Sequence, residues 1–304
     1  MSRLFEETPD HVFLDVFVEC NLRCVQCDIH KLESPPGTLT LEECKSVVDQ
    51  IAYWDSEIRL VLTGGELFLR KDRLYELAEY TRERGVYTTM NSNGTLIRPW
   101  DVERLPSSGI NCIVLSVDSD EAEVHDRIRG VEGTFERVVS AIEQLVDARE
   151  QSDEDFTVLT STIVGAHNLH RVEQMVRFFE GLGVDTTLFQ PIQPTFARDK
   201  QSDWWQDHDL FPEHDSAVDE AVDTFLRLKR DGARLFQTEQ QFEDMRYYFQ
   251  NPDELNAGQC ESQDKHMMVD LFGDVRLCFN ADRLELDPVG SIKDITLREL
   301  WEAE

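Results

Sequence analysis

Lysine is scarce in this chain: 7 of its 304 residues are Lys, against 23 Arg, and Asp plus Glu outnumber the two cations 61 to 30. The net charge of −31 is spread over nearly every segment, and no basic stripe interrupts it. Nucleic-acid surfaces work by releasing counterions to clustered Lys and Arg, so no nucleic-acid partner is expected. Dispersed acidity of this kind keeps a chain soluble where salt cuts charge repulsion to a few ångströms, which fits a halophilic source. Long apolar runs are also missing. Nothing approaches the ~18 consecutive apolar residues of a membrane span. The opening MSRLFEETPDHVF carries acids where a secretory signal would have an apolar stretch. No membrane association is expected, and a cytoplasmic location is.

What is present suffices for a large core. Hydrophobic residues make up 40% of the chain and aromatics 9%, enough for one barrel-sized α/β domain with an appendage. Seven cysteines in an intracellular-looking chain point to metal ligands or core residues in preference to disulfides. Three are packed into eight residues, Cys44 and Cys112 fall in core-like elements, and Cys260 and Cys278 lie near the C-terminus.

Short β-rich runs at 12–19, 57–63, 86–91, 110–117, 156–164 and 184–190 alternate with helical stretches near 40–53, 72–84, 101–107, 134–149 and 168–182. Thr40 followed by Glu43 has the spacing of a capping box at the start of the first helix. Six strands alternating with helices mean a parallel sheet with helices outside it, either an open doubly wound sheet or a partial barrel. In both, chemistry gathers at the C-terminal ends of the strands. The distinctive residues sit there: the cysteine loop after the first strand, Gly64-Gly65-Glu66 after the second, Asn91 to Gly94 after the third, Ser116 and Asp118 at the fourth.

The loop reads Cys20-Asn21-Leu22-Arg23-Cys24-Val25-Gln26-Cys27, a C-x3-C-x2-C triplet. Thiolates suit iron–sulfur clusters and zinc. Structural zinc wants four ligands, usually as two pairs, whereas three cysteines fit a cubane with one iron left open. His30 keeps a Cys3His zinc site as the alternative. Each remaining motif also has a plain reading: Gly64-Gly65 and Asn93-Gly94 as turns, Glu66 as a solvated acid, Asp118 as a helix cap.

Together these residues resemble the radical S-adenosylmethionine (SAM) superfamily, over about residues 12–195. Gly64-Gly65-Glu66 is similar to that family's GGE turn, whose backbone and carboxylate hold the SAM amino group. Asn91-Ser92-Asn93-Gly94-Thr95 resembles its T-N-G-T turn. Ser116-Val117-Asp118 with His125-Asp126-Arg127-Ile128-Arg129-Gly130 looks like its fourth-strand segment, whose Ser and Asp approach the ribose and methionine parts of SAM. The resemblance implies a partial (β/α)6 TIM-like barrel, a [4Fe–4S] cluster on Cys20, Cys24 and Cys27, and SAM contacts from Gly64, Gly65, Glu66, Asn91, Asn93, Ser116, Asp118 and Arg129. It also implies reductive cleavage of SAM to a 5′-deoxyadenosyl radical that takes hydrogen from a substrate. No side chain is singled out as catalytic, because the cofactor carries the chemistry. One departure stands in the loop: Gln26 occupies the place before the third cysteine where the family often has an aromatic residue.

The last fifty residues return to β character. HMMVDLF and VRLCF flank Gly273-Asp274 and read as a tight hairpin. Cys260, twelve residues, Gly273, four residues and Cys278 resemble the opening of SPASM or twitch extensions, as does the segment 289–301. No cysteine follows Cys278, so a complete SPASM set is not expected. The pair is read either as ligands of an auxiliary iron–sulfur cluster or as two packed thiols. The expected organisation is a barrel over 1–195, an acidic helical linker or lid over 196–255 carrying Trp204 and Trp205, and the extension over 256–304. The expected partners are a peptide or small-molecule substrate and a reductant such as ferredoxin or flavodoxin. The tail tilts the substrate toward peptides. The competing function is an iron–sulfur electron carrier or redox sensor without SAM chemistry, which predicts the loop but not the other motifs.

Overall fold

The computed structural model describes residues 8–32, 36–194, 203–213, 215–252, 262–279, 281 and 286–303. Six strands alternate with helices: β1 (His11–Phe17), α1 (Leu41–Trp54), β2 (Arg59–Gly64), α2 (Lys71–Arg84), β3 (Thr88–Ser92), α3 (Pro99–Arg104), β4 (Cys112–Ser116), α4 (Ala122–Arg129), α5 (Thr134–Glu150), β5 (Thr157–Val164), α6 (Val172–Gly181) and β6 (Thr186–Pro191). Their spatial order is their chain order, β1 beside β2 through to β6, all parallel. A doubly wound sheet reverses strand order at its switch point. This one never reverses, so the helices all lie on one side and the strands curl as a partial (β/α)6 barrel.

Local sequence explains the elements. Thr40 and Glu43 form the reciprocal capping box at the head of α1. Gly85 and Gly130 end α2 and α4 in the left-handed conformation. On β1, Val12, Leu14 and Val16 are buried, while His11, Phe13 and Asp15 are half-buried; β5 alternates in the same way over eight residues. The sealed set shares one core with Val47, Ile51 and Leu74 of the helices. The opposite set faces the concave interior of the barrel.

Downstream of β6, Trp204 is buried against Phe211, and the segment around it packs into the core. Helices α7 (Asp215–Arg230) and α8 (Glu239–Gln250) close over β6, with Phe225 stacked on Phe242 and tilted against Phe189. After the short α9 (Ser262–Lys265), strand β7 (His266–Val269) joins the free side of β1 in parallel. The expected hairpin then forms antiparallel to β8 (Asp274–Arg276), followed by β9 (Gly290–Ser291). The helix α10 (Leu297–Glu302) returns to α1 through Trp54 and Trp301. Among the described residues no helix is long and apolar enough to cross a membrane.

Candidate functional site

The cysteine loop leaves β1 and is held from three sides by backbone and amide hydrogen bonds. From the β2 turn, the Gly65 N–H donates to the Phe17 carbonyl at 2.7 Å and the Glu66 N–H to the Glu19 carbonyl at 2.8 Å. This approach needs glycine: a Cβ on Gly65 would lie 2.0 Å from the Glu19 carbonyl oxygen. From the β3 turn, Asn21 donates through Nδ2 to Thr95 Oγ1 at 2.9 Å and accepts from Asn93 Nδ2 at 3.0 Å. From the end of α4, the carbonyls of Arg129 and Ile128 accept from the N–H groups of Arg23 (3.1 Å) and Val25 (2.9 Å). Irregular backbone is thereby satisfied without a regular element, and the three thiols inherit a fixed frame.

The two acids of the motifs turn their oxygens toward the protein. Glu66 is buried; its Oε1 accepts from Ser92 Oγ at 2.8 Å and the Phe68 N–H at 3.1 Å, and its Oε2 from the Asn93 N–H at 2.8 Å. It locks the β2 turn to the β3 turn, and burial pushes its carboxyl up despite those donors. Asp118, also buried, lies with Oδ2 2.8 Å from Arg129 Nε and 3.2 Å from Gln26 Nε2, while Oδ1 accepts from the Ile163 N–H at 3.1 Å. Burial opposes its ionisation, but Arg129, with His125 and His167, outweighs burial and holds the carboxyl below its ordinary value. Gln26, where the family often has an aromatic side chain, thus joins the cysteine loop to Asp118. Asn91 and Ser116 sit half-buried at the ends of β3 and β4, paired in register with Val114 and Ser161. Asn93 is buried, and its Oδ1 accepts from the N–H and hydroxyl of Thr95.

The thiols are half-buried and charge-coupled. Burial raises all three, Cys24 to about 11, so in the absence of metal they hold their protons. Opposing that, the Arg129 guanidinium reaches to 3.9 Å from Cys24 Sγ, and backbone N–H groups of Leu22 and Ile29 point at the sulfurs of Cys20 and Cys27. A nearby cation and N–H donors to sulfur are what a thiolate-bound cluster uses for stability and potential. The donor set therefore fits three thiolates of a cubane. Among the described residues no three His, Cys, Asp or Glu side chains converge as a ready-made site for a single ion; a cubane takes its thiolates on separate irons.

Sequence reasoning missed Asn21, Ser92, Thr95 and Gly130, which carry the anchoring. All four lie inside or beside the quoted motifs, and the polarity of Asn21 between two cysteines was the available signal. Cys260 lies outside the described residues, so its geometry with Cys278, which is half-buried just beyond β8, is not defined. Cys44 and Cys112 are buried, as expected of core residues.

Comparison with known proteins adds an independent line. An AdoMet-dependent heme synthase of Methanosarcina barkeri is 36% identical over 176 residues, covering 58% of this chain and 48% of that protein. The antilisterial bacteriocin subtilosin biosynthesis protein AlbA of Bacillus subtilis is 24% identical over 309 residues, covering 97% of this chain and 62% of AlbA. The chain spans about half the length of the curated relatives it matches. The crystal structure of Streptococcus suis SuiB bound to the precursor peptide SuiA shares the fold, with a TM-score of 0.74 at 14% identity over 99% of this chain and 66% of that one. The sequence model of the Radical SAM superfamily, whose cofactors are a [4Fe–4S] cluster and SAM, matches residues 14–179. With more than half of its length so matched, and with the cysteine loop held between the turns that family uses, the chain belongs to the radical SAM superfamily.

Proposed function

We propose that the chain is a radical SAM enzyme in which Cys20, Cys24 and Cys27 hold three irons of a [4Fe–4S] cluster and the fourth iron is left for SAM. When bound there, SAM and the reduced cluster would supply a 5′-deoxyadenosyl radical, with methionine released, for hydrogen removal from a substrate carbon. The observation that carries this reading is the threefold anchoring of the cysteine loop to the Gly65, Asn93 and Arg129 segments.

The chain's own residues bind and orient. The carbonyls of the Gly64-Gly65-Glu66 turn are acceptors for the ammonium of SAM. Asn91, Asn93 and Ser116 offer amide and hydroxyl groups at neighbouring strand ends for its ribose and methionine parts. Glu66 and Asp118 act through others, fixing the β3 turn and the Arg129 guanidinium respectively. Arg129 places positive charge beside Cys24 and favours its thiolate.

The substrate is proposed to be a peptide or a small molecule undergoing cofactor or natural-product synthesis. Relatives named for heme synthesis and for bacteriocin biosynthesis, and the peptide-bound SuiB fold, support both classes. A low-potential carrier of the ferredoxin or flavodoxin type is the proposed electron source. Anaerobic reconstitution followed by reduction with SAM present tests the reading. About four irons per chain and formation of 5′-deoxyadenosine are expected, with both lost in Cys24→Ala. A loaded, reducible cluster that leaves SAM intact would support the electron-carrier alternative. About eight irons, falling in Cys278→Ala, would indicate an auxiliary cluster.

A further inference from the structure

The interior face of β1 carries an acid near its C-terminal end. Asp15 follows His11 and Phe13 on the concave side, while Leu14 and Val16 are sealed in the core behind it. It stands opposite Thr63 at the C-terminal end of the strand, where the β1–β2 register breaks between Asp15 and Phe17. Bulges of this kind re-aim side chains beside active sites. Along the neighbouring strand ends, Asn91 pairs with Val114 and Ser116, two residues on, with Ser161.

Asp15 is short of partners. Among the described residues no group donates a hydrogen bond to its carboxyl or pairs with it. The charge that bears on it is that of another acid, Asp270, just past the end of β7. Asp270 is fully engaged: Oδ1 accepts from the N–H groups of Phe272 (2.8 Å) and Asp274 (3.0 Å), and Oδ2 from Arg276 Nη1 at 2.8 Å. The Arg276 guanidinium thus faces Asp270. Desolvation by burial first, and the Asp270 charge second, push the Asp15 carboxyl up to about 6. At neutral pH it is still largely ionised. A half-buried carboxylate that no cation of the described residues faces is destabilised relative to a paired one, while its oxygens stay open to an incoming group. A cost kept at the concave side of a strand end marks a functional position.

We infer that Asp15 anchors a cationic nitrogen group, such as a protonated amine, on the molecule that reacts in the barrel. The inference rests on the radical SAM reading above. An ammonium there would supply the charge and the donors that the chain does not, and would bring the carbons next to it under the cysteine loop.

The test uses the full chain, reconstituted anaerobically and reduced with dithionite in the presence of SAM. Carbon-deuterated n-butylammonium is the probe, and carbon-deuterated n-butyramide its neutral counterpart. The deuterium fraction of the 5′-deoxyadenosine formed reads which molecule sits beside the radical, whatever the total turnover. Wild type is expected to take deuterium from butylammonium at least ten times more than from butyramide, and Asp15→Asn to lose that preference. Melting of the same preparations at pH 8 should show Asp15→Asn more stable by roughly 3 °C, since an unpaired charge has gone. Asp15→Ser repeats both measurements with a smaller neutral side chain. Equal incorporation from the two probes in wild type, an undiminished preference in the variants, or melting lowered in both variants would overturn the inference. Absence of 5′-deoxyadenosine from every sample has a different meaning: the radical SAM reading itself fails, and the anchor falls with it.

Discussion

Arg129 Nε lies 2.8 Å from Asp118 Oδ2, with both residues buried, in an ion pair that is not an aligned hydrogen bond at that nitrogen. One guanidinium thus answers a buried carboxylate and a cluster-loop thiol, Cys24, together. Arg129→Met leaves Asp118 charged and sealed, and is expected to cost about 3–5 kcal/mol in urea denaturation. Adding Asp118→Asn should recover a large part of that loss. Additive losses in the double variant would mean that the two residues are not energetically coupled.

Gly130 and Gly85 share a backbone conformation but not surroundings. Their φ angles are +70° and +69°, yet a Cβ on Gly130 meets the Arg23 carbonyl oxygen at 2.2 Å, whereas one on Gly85 meets nothing within 4 Å. Gly85→Ala should therefore cost about 1 kcal/mol, the conformational term alone. Gly130→Ala must displace the cysteine loop and is expected to lower iron uptake on reconstitution as well as stability. Equal effects of the two substitutions on iron content would contradict this account of the loop.

That contrast marks where the sequence stopped being legible. Strand–helix alternation and the C-x3-C-x2-C triplet located the parallel strands and the loop because periodicity and spacing are local signals, whereas the barrel was implied only by the resemblance to a family. The packing of the end of helix 122–129 on the loop is a contact across more than 100 residues, from Arg23 to Arg129, which no local pattern announces. The hairpin at Gly273 was readable from alternation, but the parallel pairing of β7 with β1 was not, since a strand pattern names no distant partner. Acidity marked 196–255 as a linker or lid but could not show that Trp204 within it is buried against Phe211, because a few apolar anchors decide packing even in a charged segment. Glu66 and Asp118 were found by motif, yet which groups their oxygens meet could come only from three dimensions.

His125 gives the protein an acid sensitivity of definite sign. Its Nδ1 accepts the Asp118 N–H at 3.2 Å, and burial first, then Arg129, lowers it to about 4. The unfolded chain takes this proton near pH 6.5 and the native one only near 4. In that interval the unfolded state binds more protons, so the full contribution is present above pH 6.5 and is lost as pH falls toward 4. The loss is expected to reach up to about 3 kcal/mol. Asp15 has the opposite sign: its native carboxyl keeps the proton to about pH 6, so its contribution declines as pH rises from near 4 to 6. Urea midpoints across pH 4 to 7 should rise less steeply than wild type in His125→Gln and more steeply in Asp15→Asn.

The acidic surface predicts a response to salt. With 61 acids against 30 Lys and Arg, repulsion dominates the exposed charges, and exposed ion pairs contribute at most about 1 kcal/mol each. Screening shortens from about 10 Å at 0.1 M to about 3 Å at 1 M. The melting temperature should accordingly climb between low and molar KCl. A flat or falling profile would remove the basis for the halophilic reading.

The central claim is that one cluster iron is left without a side-chain ligand and is taken by SAM. Electron–nuclear double resonance on the reduced, reconstituted protein, with SAM carrying 15N in its amino group and 17O in its carboxylate, measures this directly. Hyperfine coupling of both labels to the cluster spin is the predicted result. A protein that holds a colourless four-ligand metal centre, or a paramagnetic cluster that shows no coupling to either label, would contradict it.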